Sequence, residues 1–343
     1  MKPARVTLGH LRIGVQVFAL AFLVYGGSVL GQYLSDNISG ALPALSCAYD
    51  QQNADYCVLI PIQHQLNHRV GEALVRMQQF SLRVFLPLVF TLLSFMLFFV
   101  VLNKAFCGWL CPLGTLQELL YRLGRRLARP MHRISAGRLG KLRAVKWFML
   151  LGLVFVLPLL AGLGVAPHAV GDAFCQVCPS RILTTLATGD TRQLALNTSG
   201  AGEIFFSALR SFLVGFIIIA ALAVRQPFCR VCPMLALHAT LRRLSLTRLV
   251  KNRQSERCGK CGICTRACPM DIHEIWKTHG RNAFHDDCTL CGRCAEYCPE
   301  DGLITIKTGP FTLFASSRDY YKQRVKLERP DGTLHRKPRE VNA

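Results

Sequence analysis

The sequence predicts an α-helical membrane protein, with four transmembrane helices forming two repeated hairpins and a small cysteine-rich α+β domain behind them. Three observations carry this. Hydrophobic residues fill 51% of the 343 positions and mean hydropathy is +0.29, a composition typical of lipid-embedded chains. Four apolar stretches, Ile13 to Leu30, Val84 to Leu102, Trp147 to Ala166 and Phe205 to Val224, each approach the ~20 residues with which a helix crosses about 30 Å of hydrocarbon. Eight cysteines crowd into residues 258–298, behind the last of them.

The first stretch has a basic start and small residues in GGSVLG; without an Ala-x-Ala-like site it reads as a retained anchor. Charge then sets the orientation. The net charge is +21, and residues 104–146 hold many arginines and lysines against one acid, Glu118, whereas 33–82 and 166–204 are sparse in both and slightly acidic. Positive-inside bias places the N-terminus, the 104–146 loop and everything after Val224 on the cytoplasmic side of a bacterial inner membrane, with the other two loops facing the periplasm. The positive charge is therefore read as an anchor to anionic lipid, and nucleic acid is not an expected partner. The expected organisation is a membrane domain over 1–250, a cytoplasmic cysteine domain over 251–308 and a flexible basic tail over 309–343.

CGKCGICTRACP and CTLCGRCAEYCP each read C-x₂-C-x₂-C-x₃-C-P, the run of bacterial two-cluster ferredoxins, in which three cysteines hold one [4Fe–4S] cluster and the fourth serves its neighbour. Cys258, Cys261, Cys264 and Cys298 then form one ligand set, and Cys288, Cys291, Cys294 and Cys268 the other. A Cys₄ zinc ribbon would show two pairs across a longer gap.

Eight cysteines remain. FCGWLCP, with Cys107 and Cys111, follows the second stretch, and FCRVCP, with Cys229 and Cys232, follows the fourth. These thiols share the cytoplasmic face, where reducing conditions disfavour disulfides, so a third cluster leads over a thiol relay or metal-insertion site. On the outer face Cys175 and Cys178 of FCQVCP have Cys47 and Cys57 for company, and two readings stand open: a fourth, periplasmic-face cluster, or disulfides, with Cys175 and Cys178 as a strained redox pair.

The second and fourth stretches, each taken with the segment after it, repeat one pattern: apolar span, Phe-Cys, Cys-Pro, then a basic amphipathic helix. This reads as a parallel duplication. Leu116, Leu119, Leu120, Leu123 and Leu127 recur at helical spacing, which fits a helix lying in the interface. Proline after Cys111 and Cys232 suits the first helical position and sets each thiol at a helix N-terminus, which favours thiolate.

On these motifs, over roughly residues 10–310, the chain resembles the NapH-type membrane ferredoxins, 4Fe–4S quinol dehydrogenase-like proteins, and also the C-terminal part of the nitrous oxide reduction regulator NosR. FCGWLCPLGTLQELL matches that family's C-x₃-C-P motif; FCRVCP has one residue fewer between its cysteines. The resemblance implies quinol oxidation and electron delivery towards periplasmic reductases, with quinone and redox proteins on the periplasmic and cytoplasmic sides as partners. The expected function is thus electron transfer through up to four clusters. Two alternatives are an assembly factor supplying electrons to a maturing metalloenzyme and a thiol–disulfide conduit. Arg210, inside the fourth stretch, reads as snorkelling or as an anion contact; His64, His68 and His168 read as solvated or capping residues. No P-loop, dinucleotide fingerprint or nucleophile elbow occurs.

Overall fold

The computed structural model describes residues 7–30, 59–71, 99–127, 132–187, 200–252 and 261–328 apart from residue 284, with scattered positions between these ranges. Helix α1 spans Leu8–Leu30. Helix α2, Leu59–His64, runs on as a wider π-helix over Gln65–Gly71. A π-helical turn, Phe106–Leu110, leads into α3, Pro112–Arg126. Helix α4 extends over Ala136–Gly162, π-helical between Met149 and Val156. Two short helices come next, α5 (Ala173–Val177) and α6 (Pro179–Ala187), before α7 (Ala201–Ala223) and α8 (Pro233–Thr240). The two stretches expected as outer loops therefore carry α2, α5 and α6.

The four predicted spans are realised unequally. Among the described residues α4 alone is long and apolar enough to cross a membrane; α1 and α7 carry the shorter apolar runs Leu8–Phe22 and Ser207–Ala223. The second span lies largely outside the described residues. Helix α4 also begins before the expected Trp147, because its basic first turns have a partner: Arg143 and the fully buried Lys146 both pair with Asp287 of the cysteine domain.

Helix α3 buries Leu113, Gln117, Glu118, Tyr121 and Gly124, a stripe at helical spacing, while Leu123 and Leu127 point out. The leucine row singled out in the sequence is thus the outward face, and packing against α7 uses the small and polar residues instead. The second predicted amphipathic helix stops at Thr240. Residues Thr247–Lys251 form strand β1, alternately buried and half-buried, as the period of two in TRLVK dictates.

Helices α9 (Ile263–Ala267) and α10 (Arg293–Glu296) sit inside the two cysteine runs. Each is opened by a glycine in the left-handed region, Gly262 at φ 61 and Gly292 at φ 79, a conformation that glycine adopts at no steric cost. Strands β2 (Ile304–Thr308) and β3 (Phe311–Ala315) complete an antiparallel sheet in the order β1–β2–β3, with Leu249 opposite Ile306 and Ile306 opposite Phe314. Helix α11, Arg318–Leu327, packs beside it, its Arg324 paired with Glu296. The sheet takes its first strand from Thr247–Lys251, at the expected boundary, and 311–327 is strand and helix where a flexible tail was expected.

Candidate metal centres

Cys268, Cys288, Cys291 and Cys294 line one cavity with Met270 and Ile272, and Cys261, Cys264 and Cys298 line a second with Leu303 and Ile304. Cys268 thus stands with the second run's first three cysteines, and Cys298 with Cys261 and Cys264 of the first run. Cys258 lies outside the described residues, as do Cys47 and Cys57. Among the described residues no three Cys, His, Asp or Glu side chains converge as ligands of a single ion; thiols ringing a cavity suit a polynuclear cluster better than a lone zinc. Burial pushes the Cys268 thiol up to about 12 and Cys288 to about 11, so these groups stay protonated unless a bound cation draws the thiolate out. Leu290 holds a left-handed φ of 52, and its backbone N–H donates to Cys288 Sγ at 3.3 Å. Backbone donors to sulfur of this kind tune cluster potentials.

The four thiols of the two Cys-Pro motifs come together behind this loop. Cys107 feels the charges of Cys111 and Cys229, and Cys232 those of Cys229, Cys107, Cys111 and, from the outer motif, Cys178. Burial raises Cys107 and Cys232 strongly and Cys229 to about 12. Cys111 (φ −59, ψ 118) and Cys232 (φ −64, ψ 123) are N-cap residues with proline next. Gln117 ties the two motifs: its Nε2 donates to Leu113 O at 3.1 Å and to Cys229 Sγ at 3.5 Å, and its Oε1 accepts from the Phe228 N–H at 3.0 Å.

The outer motif is built alike. Gln63 Nε2 donates to Leu59 O at 2.9 Å and to Cys175 Sγ at 3.1 Å, while Oε1 accepts from the Phe174 N–H at 3.2 Å. Cys175 and Cys178 are both buried. Neither glutamine was singled out by sequence reasoning, though each residue of the inner set follows its outer counterpart by the same 54 positions. His64, His68 and His168 are exposed, as expected, but they also stack in a column with ring centroids 5.5 and 5.7 Å apart. Arg210 is half-buried within electrostatic reach of Arg181.

The ferredoxin-type loop docks on the inner motif through backbone contacts. Trp109 Nε1 donates to Leu290 O at 3.1 Å, Arg12 donates to Cys291 O at 2.8 Å, and a Cβ on Gly108 would stand 2.2 Å from Thr289 O. Cys107 and Cys229 pack with Cys268 and Cys288 around Leu235, Met270 and Ile272. Buried cations surround the junction. Arg230 donates to Met270 O at 2.9 Å and to Asp271 Oδ2 at 2.8 Å, and Arg225 grips Glu118 with two hydrogen bonds of 2.9 and 2.6 Å. Burial alone would raise the Glu118 carboxyl, but Arg225 holds it well below the usual range. Lys104, hydrogen-bonded to the His285 and Asp286 carbonyls, is drawn down to about 8 by burial.

Comparison with known proteins agrees with this division. The profile of a 4Fe–4S binding domain matches residues 84–130 and again 205–252, and that of a 4Fe–4S dicluster domain matches 250–308. The regulatory protein NosR of Pseudomonas aeruginosa is 32% identical over 192 residues, 54% of this chain and 23% of that protein. The putative electron transport protein YccM of Escherichia coli is 29% identical over 182 residues, 53% of this chain and 45% of that one. An uncharacterized protein of Methanocaldococcus jannaschii is 31% identical over 176 residues, 50% of this chain and 61% of its own length. The chain thus spans less than two thirds of each of these relatives, and no solved structure matches it.

Proposed function

We propose that this chain, which carries 4Fe–4S binding domains and is related to NosR and YccM, is an integral inner-membrane iron–sulfur protein. It passes electrons between the quinone pool or a cytoplasmic donor and a periplasmic acceptor, as its NapH-type motifs imply. The observation that carries the reading is the seating of the Cys288–Cys294 loop on FCGWLCP, which brings Cys107 and Cys229 onto one apolar patch with Cys268 and Cys288. Bound clusters supply one-electron transfer. Cys258, Cys261, Cys264 and Cys298 would hold one, Cys288, Cys291, Cys294 and Cys268 a second, and Cys107, Cys111, Cys229 and Cys232 a third, with the outer cysteines as the far terminus. Arg230 sets positive charge beside Cys229, and Lys104 beside Cys107 and Cys288.

A lipid surround is supported by rows of exposed large apolar side chains: Leu86, Val89, Leu93, Leu97 and Val101 at helical spacing on the second span, and Phe212, Phe216 and Ile219 on α7. Such faces are costly in water and at home in hydrocarbon. The test is iron and acid-labile sulfide per chain on protein purified without oxygen in detergent, then addition of duroquinol. About twelve irons or more, bleached by the quinol, is the expected result. About eight would remove the Cys-Pro quartet as a cluster site, and bleaching by dithionite but not by duroquinol would remove the quinone.

A further inference from the structure

We infer that the β2–β3 hairpin of the cysteine domain seats in the cytoplasmic leaflet beside the second span, as an interfacial lipid contact that prefers anionic headgroups. The inference rests on reading the chain as an integral membrane protein, and adds a lipid-bound surface outside its spans. Its own ground is the far edge of the sheet. Strand β3 is the outer strand in the order β1–β2–β3. Its Phe314 turns inward, standing opposite Ile306 with its ring edge-on to Tyr320, centroids 5.1 Å apart. Phe311 and Leu313 instead face away from the sheet's core, 73% and 64% exposed.

An edge of this composition is ill suited to water. Soluble sheets blunt their outer strands with charged side chains, yet β3, FTLFA, carries none, and an apolar edge left bare invites aggregation unless something covers it. Hydrogen bonds fix what lies next to it. In the turn of the hairpin the Gly309 N–H donates to Leu246 O at 3.0 Å, and the Leu246 N–H donates in turn to Val100 O at 2.6 Å. Thr247 Oγ1 donates to Val101 O at 2.7 Å and lies 3.0 Å from Thr308 Oγ1. The hairpin is thus tied through Leu246 and Thr247 to the cytoplasmic end of the second span.

Exposed apolar side chains follow that path: Leu93, Leu97 and Val101 on the span, Leu244 and Leu246 on the connection, then Phe311 and Leu313. The charge around them has one sign. Residues 242–252 and 303–318 hold six arginines and lysines and no acid. Arg243 is exposed, and Arg248, paired across the sheet with Lys307, donates to Gly309 O at 3.3 Å. An apolar tip ringed by cations is the pattern of a surface at the headgroup boundary, with its apolar side chains about 5–10 Å deep and its cations among the phosphates. Under the proposed topology lipid already lines the span to which this tip is tied, so lipid is the occupant within its reach.

The experiment places the unaltered full chain in nanodiscs of phosphatidylcholine and phosphatidylglycerol that contain a phospholipid with a diazirine on its acyl chain. After irradiation the lipid adducts are mapped by mass spectrometry. The inference expects adducts at residues 311–313 as well as along 86–101 and 212–219, and a several-fold fall at 311–313 alone when phosphatidylcholine replaces the phosphatidylglycerol. Adducts on the spans with none at 311–313 overturn the inference and leave the membrane reading standing, which is also the result if a protein partner or a second copy covers the edge. No adduct on the spans removes the membrane reading itself and the inference with it. Arg243→Gln/Lys307→Gln should reproduce the several-fold fall at 311–313 without any change of lipid. Adducts there that ignore both the lipid and this variant overturn the preference for anionic headgroups.

Discussion

Around Cys229 and around Cys175 the same three hydrogen bonds recur, yet the two frames sit in surroundings of different kind. The residue after the glutamine shows it: Glu118 follows Gln117 inside, whereas His64 follows Gln63 outside. Glu118 is buried and bound twice by Arg225, and Arg230 links the same frame to the carbonyls of Pro269 and Met270. His64 is exposed and stacked on His68. One frame is therefore locked to a second domain by desolvated charge, and the other ends in imidazoles that face outward. The comparison teaches that the hydrogen-bonded frame can be copied independently of the electrostatics around it.

The strongest way to break the comparison is to remove the charge that only the inner frame has. Glu118→Gln leaves the buried Arg225 without its counter-charge, and breaking such a pair typically costs about 3–5 kcal/mol. Denaturant unfolding in detergent should show a loss of that order, with the region around Gln117 opening first in hydrogen exchange and the region around Gln63 unaffected. Equal loosening of both regions would mean that the frames are not separate units.

Much of this was legible in the chain and some was not, for physical reasons. The cysteine runs, the Cys-Pro motifs and the apolar stretches are local patterns, and local patterns survive reading one residue at a time. The leucine row of α3 was legible as a row but not as to its direction, because the burial of Gln117 and Glu118 depends on hydrogen bonds with Arg225, Phe228 and Cys229, and that of Tyr121 on the Arg225 guanidinium over its ring, none of which periodicity encodes. Strand β1 hid behind a presumed helix because TRLVK has no partner until Ile304–Thr308 returns to it. The glutamines were the real loss. Gln63 and Gln117 look like ordinary polar residues until the spacing of 54 positions that joins Gln63 to Gln117, Cys175 to Cys229 and Cys178 to Cys232 is laid beside them; the same step also carries Cys57 to Cys111.

A second intervention acts on what the inner frame touches. Gly108→Ala would place a Cβ 2.2 Å from Thr289 O and 3.2 Å from Cys291 N, both backbone atoms without freedom to swing aside. Forcing extra volume into such a contact costs about 1–3 kcal/mol. The expected outcome is faster proteolytic release of the fragment holding residues 261–328 and slower electron exchange between the two domains. Gly14→Ala, whose Cβ meets nothing within 4 Å, is the control on the same face of the problem. A Gly108→Ala protein that keeps its protease resistance would show that the loop is not seated as described.

The smallest effect separates the frames by pH. Partial desolvation of a ring stacked on His68, and then the neighbouring charge of His68, hold the largely exposed His64 below its ordinary value of 6.5. A histidine with a lowered folded value contributes stability that is present above 6.5 and lost as pH falls through its folded value, because the unfolded chain takes up the proton first. Glu118 is also lowered, from 4.5, so its contribution is likewise lost on acidification, but only below that far more acidic point. Acid should therefore loosen the outer frame at mildly acidic pH while the inner frame holds. Hydrogen exchange read separately at Leu59–Gly71 and at Pro112–Arg126, as pH is stepped down from neutral, resolves the two phases. His64→Asn should erase the first phase and leave the second, since it removes the outer titrating ring without touching the hydrogen bonds of Gln63. If both regions loosen together in that variant, the outward imidazole is not what distinguishes the two copies, and the difference must lie in the domain that only one of them holds.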